Sequence, residues 1–137
     1  MDKKTRVYVD TSAFISFLDQ SDIYHPLFRR LFAAPPTLVT SSLVIAEGHG
    51  WFLKRYDATR ALQFLDFINM LRSLTIVPVG SELIGSATVW LRKFSDQALS
   101  LADAAGLELM RGHKIVHCWS TDRHLALCGA RLVIHEV

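Results

Sequence analysis

The feature that most constrains this chain is a regular alternation of short apolar runs with longer amphipathic stretches. Five runs rich in β-branched and aromatic residues have the length and composition of buried strands: Arg6–Val9, Thr37–Thr40, Leu74–Val79, Lys114–Cys118 and Arg131–His135. Seven stretches with helical spacing accompany them: Thr11–Leu18, Tyr24–Phe32, Leu43–Tyr56, Ala58–Leu71, Ser81–Phe94, Leu101–Arg111 and Arg123–Leu127. Because a parallel crossover needs at least about ten residues, the spacing predicts an α/β domain. Its central, mostly parallel five-stranded sheet is flanked by about seven helices.

Length and composition agree with one globular unit. The chain has 137 residues, of which half are hydrophobic and a fifth are charged, and this excludes disorder by composition. No repeat or low-complexity tract interrupts it, so we interpret residues 1–137 as a single domain. Pro78, inside the third run, predicts an edge strand. The net charge of +2, from 15 Lys and Arg against 13 Asp and Glu, is far from that of a dedicated DNA-binding protein.

Cysteine usage and the absence of long apolar runs favour a reduced, cytoplasmic compartment. Cys118 and Cys128 have neither a disulfide framework nor the paired spacing of a zinc site. We interpret both as free thiols in apolar surroundings. No apolar run of signal-peptide length follows the N-terminal basic residues. No stretch approaches the roughly 18 apolar residues of a membrane span. We therefore predict a cytoplasmic location and no membrane partner.

Four acidic residues lie where a parallel sheet collects its ligands. Asp10 and Asp122 follow the first and fourth strands, while Glu47 and Asp103 lie early in helices that follow turn-like segments. Ligands of α/β proteins bind outside the carboxyl ends of the strands. Taken singly, each acid has an ordinary explanation. Asp10 and Asp122 could be N-caps, Asp103 could complete a capping box, and Glu47 could be solvated. The topology nevertheless predicts that all four meet at one edge.

Clustered carboxylates call for a cation, because they repel one another and raise each other's pKa. An oxygen-only set suits a hard divalent ion such as Mg²⁺ or Mn²⁺. Such ions activate water and stabilise the leaving oxygen in phosphodiester hydrolysis. A phosphotransfer enzyme with Asp10 as nucleophile is a different interpretation. It would require a nearby lysine, which the strand ends lack.

Four segments resemble, in order, the motifs of the PIN-domain family, and most closely those of its VapC-type toxins. They are residues 7–12, 40–47, 96–104 and 120–124. The resemblance covers the chain from its first strand to its last and implies a three-layer PIN-like fold. It also implies an Mg²⁺- or Mn²⁺-dependent endoribonuclease whose acidic quartet is Asp10, Glu47, Asp103 and Asp122. Asp10, Asp103 and Asp122 would be the metal ligands, and Glu47 would act through a water or position the nucleophile.

The resemblance extends to neighbouring residues and to partners. Ser12, Asp96 and Ser120 match positions that support the acids, whereas Leu125 stands where the family often has an aromatic residue. The implied substrate is RNA, such as a tRNA or a ribosomal RNA loop. The implied partners are a cognate antitoxin and a second copy of the chain. Two alternatives stay open: an RNA-processing PIN nuclease that is not a toxin, and a non-catalytic module of the same fold that binds RNA or a partner.

The RNA-binding surface is not identified by the sequence. Six basic residues could contribute to it: Lys54, Arg55, Arg60, Arg92, Lys93 and Arg123. A solvated helix face is the more usual role for such residues. Trp51 and Trp90 lie on amphipathic helices, so we interpret them as core or dimer-interface residues rather than platforms for bases. His124 could contact a phosphate, but we interpret it as a surface residue.

Overall fold

The computed structural model describes residues 5–136; Met1–Lys4 and Val137, which the predicted domain includes, lie outside that range. Its strands are β1 (Arg6–Val9), β2 (Thr37–Ser41), β3 (Leu74–Val77), β4 (His117–Trp119) and β5 (Arg131–Leu132). They form one five-stranded sheet in the order β3-β2-β1-β4-β5, and every neighbouring pair is parallel. The predicted parallel sheet is confirmed, and β3 lies at its edge, as Pro78 indicated.

The helices match the predicted stretches to within one or two residues at each end. They are α1 (Thr11–Leu18), α2 (His25–Ala33), α3 (Ser42–Arg55), α4 (Ala58–Met70), α5 (Ser81–Lys93), α6 (Leu101–Gly112) and α7 (His124–Leu127). Short 3₁₀ turns at Ser95–Gln97 and Val133–His135 were not predicted. Between residues 5 and 136, no helix is long and apolar enough to span a bilayer.

The two faces of the sheet bury different cores, which makes the fold three-layered. Side chains alternate between the faces of a strand, so Val7 and Val9 point to one side of β1 and Tyr8 to the other. The valines join a cluster with α1–α4 that is rich in aromatic rings, including Phe14, Phe28, Phe32, Phe64 and Trp119. Tyr8 packs with α6 and the last strands, in a cluster that includes Leu107, Met110, Cys118 and Leu132. The sheet is therefore covered on both sides, as expected for a parallel sheet.

The last three strands are shorter than predicted, and β3, predicted at Leu74–Val79, ends at Val77, before Pro78. Lys114 has a positive φ of 55°. The Ile115 amide donates to the Met110 carbonyl at 2.8 Å, so this segment closes the end of α6 and β4 begins only at His117. The fifth strand, predicted at Arg131–His135, ends at Leu132 because its pairing with β4 ends there. The chain then forms the 3₁₀ turn, in which the Glu136 amide donates to the Val133 carbonyl.

Two glycines of α3 provide a matched test of the helix packing. A Cβ atom on Gly48 would overlap the ring of Phe64, which is fully buried, whereas Gly50 has open space around it. We expect Gly48→Ala to lower the free energy of unfolding by about 1–3 kcal/mol through overpacking. Gly50→Ala should raise it by up to about 1 kcal/mol, because alanine favours the helix. Urea unfolding of both variants measures the difference, and equal effects would contradict the tight α3–α4 contact.

Candidate functional site

Asp10 lies at the point where the two central strands end. It directly follows β1, and its amide donates to the carbonyl of Trp119, the last residue of β4, at 3.0 Å. Only 4% of Asp10 is exposed. It occupies the N-cap position of α1, but its side chain makes no capping hydrogen bond. Asp10 is therefore a buried carboxylate that does not cap α1 in the usual way.

Two serine hydroxyls hold the Asp10 carboxylate. Ser12 Oγ and Ser120 Oγ donate to Asp10 Oδ2 at 3.1 and 2.9 Å, and the two hydroxyl oxygens lie 3.2 Å apart. Each hydroxyl also accepts a backbone amide of the loop after β4: that of Thr121 at Ser12, and that of Asp122 at Ser120, both at 3.0 Å. The network joins the loop after β1 to the loop after β4. Both serines, which the family resemblance implied as supports of the acids, thus contact Asp10.

Asp103 and Asp122 are each oriented through one carboxylate oxygen. The predicted capping box is confirmed: the Ser100 amide donates to Asp103 Oδ2 at 3.0 Å, and the Asp103 amide donates to Ser100 Oγ at 3.1 Å. Asp122 Oδ1 accepts the His124 amide at 3.0 Å and lies 2.8 Å from His124 Nδ1. An ionised carboxylate has about four lone-pair sites. Both side chains therefore keep acceptor capacity for another ligand.

The charges of the three aspartates act on one another. Burial raises the pKa of Asp10 to about 7, and the Asp103 carboxylate adds to that rise. Burial also raises the pKa of Asp103, with a further contribution from the charge of Asp122. The pKa of the buried thiol of Cys118 is raised by burial and then by the same three carboxylates. Asp103 and Asp10 are therefore within electrostatic reach, and the charge of Asp122 also reaches Asp103.

Glu47 is not brought into contact with the three aspartates. It is exposed on α3, and among residues 5–136 its side chain makes no hydrogen bond or ion pair. It lies one turn after Leu43, which packs against Ala104 and Ala105 of α6. Residues four apart share a helix face, so Glu47 lies on the side of α3 that faces α6, the helix that carries Asp103.

Asp96 lies at the periphery of the site. It is exposed in the 3₁₀ turn before α6, and its Oδ2 accepts a hydrogen bond from the Gln97 side chain at 3.3 Å. Burial raises the pKa of Cys128, and the charges of Asp103, Asp122 and Asp96 add to the rise in that order. Asp96 is therefore near the cluster, but no hydrogen bond joins it to the other acids.

His124, which the sequence analysis interpreted as a surface residue, is exposed and also contacts Asp122. The Asp122 carboxylate accepts its backbone amide and lies within hydrogen-bond distance of its imidazole, and the charge of His124 opposes the rise in the pKa of Asp103. The available signal was its position two residues after Asp122, where an aspartate commonly accepts the amide of a turn.

The carboxylates at this edge of the sheet are candidate ligands of a divalent cation. Within residues 5–136, no three His, Cys, Asp or Glu side chains form a group that could hold a metal ion as they stand. Three protein ligands are not required for Mg²⁺, which is usually bound by one or two carboxylates together with waters and substrate phosphates. Asp10 and Asp103 are oxygen donors, and each has a raised pKa that a nearby dication would lower. The chemistry of the pair fits a hard, hydrated ion.

Residues 7–128 match the PIN domain. This chain belongs to the PIN-domain family. The 23S rRNA-specific endonuclease VapC20 of Mycobacterium tuberculosis is 27% identical over 125 residues, which cover 90% of this chain and 94% of that protein. The VapC20 crystal structure, described as a sarcin-ricin loop cleaving toxin, matches with a TM-score of 0.83 at 25% identity. That match covers 91% of this chain and 96% of the other.

Two further structural matches are more distant. PAE2754 from Pyrobaculum aerophilum has a TM-score of 0.68 at 16% identity and covers 97% of this chain and 93% of its own. VapBC2 from Rickettsia felis, bound to a promoter DNA fragment, has a TM-score of 0.67 at 13% identity, with coverages of 93% and 97%. At such identities the likeness concerns the fold alone. The resemblance to PIN domains of the VapC type and the three-layer fold are confirmed.

The raised pKa of Asp10 predicts an unusual pH dependence of stability. Between about pH 4, near the ordinary pKa of an aspartate, and about pH 7, Asp10 binds more protons in the folded state than in the unfolded state. The free energy of unfolding in chelator should therefore fall as pH rises from 5 to 8, by up to about 1 kcal/mol per pH unit. Urea unfolding in EDTA measures this. In Asp10→Asn the free energy of unfolding should depend less on pH, and this variant should be more stable than the wild type at pH 8. An equal pH dependence in the two proteins would contradict the raised pKa of Asp10.

Proposed function

We propose that this chain is a divalent-metal-dependent endoribonuclease of the VapC type, which hydrolyses RNA phosphodiesters. The observation that carries the proposal is the buried Asp10 carboxylate at the carboxyl edge of a PIN-domain sheet, where the charge of Asp103 acts on it. Support comes from VapC20, an endonuclease that this chain matches along nearly the whole of both sequences. The burial of Asp10 among hydroxyls also favours a functional carboxylate over a solvated one.

In this proposal Asp10 and Asp103 hold Mg²⁺ or Mn²⁺, and Asp122 completes or supports the shell. When bound, the ion supplies an activated water and neutralises charge on the phosphate. Ser12 and Ser120 fix the direction of the Asp10 carboxylate. Since hydrogen-bonded neighbours of a metal ligand commonly set its orientation, these serines are positioning residues.

Glu47 has a different part in the proposal. It acts through a bound water or positions the nucleophile, rather than holding the ion directly. Its exposure on the α6-facing side of α3, without a protein partner among residues 5–136, leaves its carboxylate free to turn toward a substrate. Asp96 is proposed to add negative charge at the periphery only, because its hydrogen bond is to Gln97.

The proposed substrate is an exposed ribosomal RNA loop, and a tRNA loop is the alternative. Sequence-specific proteins usually read RNA in unpaired loops, and VapC20 is described as cleaving the sarcin-ricin loop. We further propose a cytoplasmic toxin that forms a homodimer and is inhibited by a cognate antitoxin. An antitoxin arginine could pair with the Asp10 and Asp103 carboxylates, which have no ion-pair partner among the described residues.

Cleavage of RNA by the purified chain tests the activity. With Mg²⁺ or Mn²⁺, we expect discrete fragments from an end-labelled pool of ribosomal and transfer RNA, and none with EDTA. Asp103→Asn should reduce the rate on the order of a hundredfold or more, because it removes a carboxylate ligand. Ser120→Ala should reduce it about 10–100-fold, through the loss of orientation at Asp10.

The matched control for Asp103→Asn is Asp66→Asn, which changes an exposed carboxylate on α4. It should cleave at the wild-type rate. Cleavage that survives EDTA or Asp103→Asn would refute the proposed centre. A folded wild-type protein that gives no fragments with either metal would favour the non-catalytic module.

Growth on induced expression separates a toxin from a processing nuclease. We expect expression of the wild-type chain to arrest growth. Cells that express Asp10→Asn should grow normally, because this variant lacks the buried carboxylate that is proposed to bind the metal ion. Colony counts on inducing plates measure the effect, with immunoblots to show equal protein levels. Cleavage in vitro combined with normal growth would identify a processing nuclease instead.

A further inference from the structure

The glycine at position 106 marks a close contact between α6 and the sheet. Glycine in the interior of a helix is less favourable than alanine, so its use there calls for a structural reason. Gly106 is buried near the middle of α6. A Cβ atom on it would lie 2.7 Å from Cε1 of Tyr8 and 2.9 Å from the phenol oxygen, both closer than real contacts allow. The backbone of α6 therefore lies directly on the Tyr8 ring.

The Tyr8 ring fills the space between β1 and α6. Only 2% of Tyr8 is exposed, and its ring belongs to the cluster that contains Leu107, Met110 and Cys118. Cys118 is also its register partner on β4, so a neighbouring strand and the helix both confine the ring. Protein cores are close-packed and leave little room for such a ring to move aside. The separation of β1 and α6 is therefore determined by the thickness of the ring.

This contact lies one step along β1 from Asp10 and one turn along α6 from Asp103. Alternate residues of a strand share a face, so Tyr8 and Asp10 point to the same side of the sheet. On α6, Gly106 follows Asp103 by three residues, and residues at that spacing share a helix face. β1 ends at the acidic edge and α6 begins there, so the two acids lie on the same side of the contact. In agreement with this placement, burial raises the pKa of the Tyr8 phenol and the charge of Asp10 adds to the rise.

We propose that the Tyr8 ring, packed against Gly106, is the spacer that sets the separation between the carboxylates of Asp10 and Asp103. Tyr8 and Gly106 are then positioning residues, because they act on the metal ion only through the two aspartates. The inference rests on the proposed metal-dependent function and deepens it. The two serines fix the direction of the Asp10 carboxylate, whereas the spacer fixes its distance from the helix that carries Asp103.

The displacements involved are large enough to affect a metal ion. Mg²⁺ requires oxygen ligands at about 2.0–2.1 Å in nearly octahedral geometry, and a site of this kind tolerates displacements of about 0.5 Å. In Gly106→Ala, the added methyl group must move from 2.7 Å to the 3.4 Å at which ordinary contact with Cε1 begins, a larger shift than that tolerance. Because the ring is confined, α6 must take up most of the shift and carry Asp103 away from Asp10.

Binding of Mn²⁺ to the full-length chain without RNA tests the spacer independently of catalysis. The electron paramagnetic resonance signal of free Mn²⁺ measures Kd, and circular dichroism shows that each variant is folded. We expect Gly106→Ala to raise Kd for Mn²⁺ about 10–100-fold, the range for loss of support around a metal ligand. Gly85→Ala is the matched control, because this glycine of α5 has open space around it and its substitution should leave Kd unchanged. Tyr8→Phe should also leave Kd unchanged, because it keeps the ring.

Tyr8→Met gives a second test that does not depend on the folding of Gly106→Ala. Methionine is flexible and adapts to irregular spaces. It does not hold a fixed separation, so we expect Kd for Mn²⁺ to rise in this variant as well. When Tyr8→Met and Gly106→Ala are combined, the flexible side chain makes room for the added methyl group. Kd should then rise by less than the product of the two single effects, as for residues in contact.

The Kd values separate failure of the spacer from failure of the proposed function. A wild-type Kd in folded Gly106→Ala and Tyr8→Met would overturn the spacer while leaving the metal site in place. A rise in Kd for Tyr8→Phe equal to that for Gly106→Ala would also overturn it, because the hydroxyl group rather than the ring would then be responsible. A wild-type chain that binds no Mn²⁺ would instead refute the proposed metal centre, and the spacer with it.

Discussion

A carboxylate at the end of a central parallel strand is shielded from water, because neighbouring strands and helices cover it on both sides. Asp10 is in that position, and burial raises its pKa to about 7. The hydroxyls of Ser12 and Ser120 stabilise its charged form but do not cancel the effect of burial and of Asp103. Near neutral pH, the apo site therefore holds a carboxylate poised between its two protonation states. A cation would complete the charge balance that the fold leaves open.

The packing around α1 offsets the cost of this buried carboxylate. A pKa rise of about three units corresponds to roughly 4 kcal/mol at most. Full burial of one phenylalanine side chain contributes about 1.5–3 kcal/mol, and Phe14, Phe28 and Phe64 are all fully buried on that face of the sheet. Phe14 belongs to the same helix as Ser12, so the aromatic cluster also fixes the loop that orients Asp10. Core packing and site geometry are thus coupled through α1.

Local patterns predicted most of the fold because α/β elements are marked by short-range signals. Helix bounds and strands β1 and β2 followed from periodicity and turns, and the edge position of β3 followed from Pro78. The errors in the bounds of the last three strands arose at element ends, where single hydrogen bonds decide the outcome, such as the one from the Ile115 amide to the Met110 carbonyl that closes α6. At the site, strand ends were sufficient to place Asp10 and Asp122. The direction of Glu47 depends on how α3 packs on α6, and no sequence pattern encodes that angle.

The charge of the chain shows why composition is a poor guide to its partners. The net charge of +2 conceals an uneven distribution. Negative charge is concentrated on the aspartates at one edge of the sheet, whereas basic residues are exposed on the helices. A polyanion approaching this edge meets repulsion until the acids are neutralised, so its affinity must come from cations and rings placed outside the cluster. A centre that repels its substrate can therefore act only together with a surface that holds it.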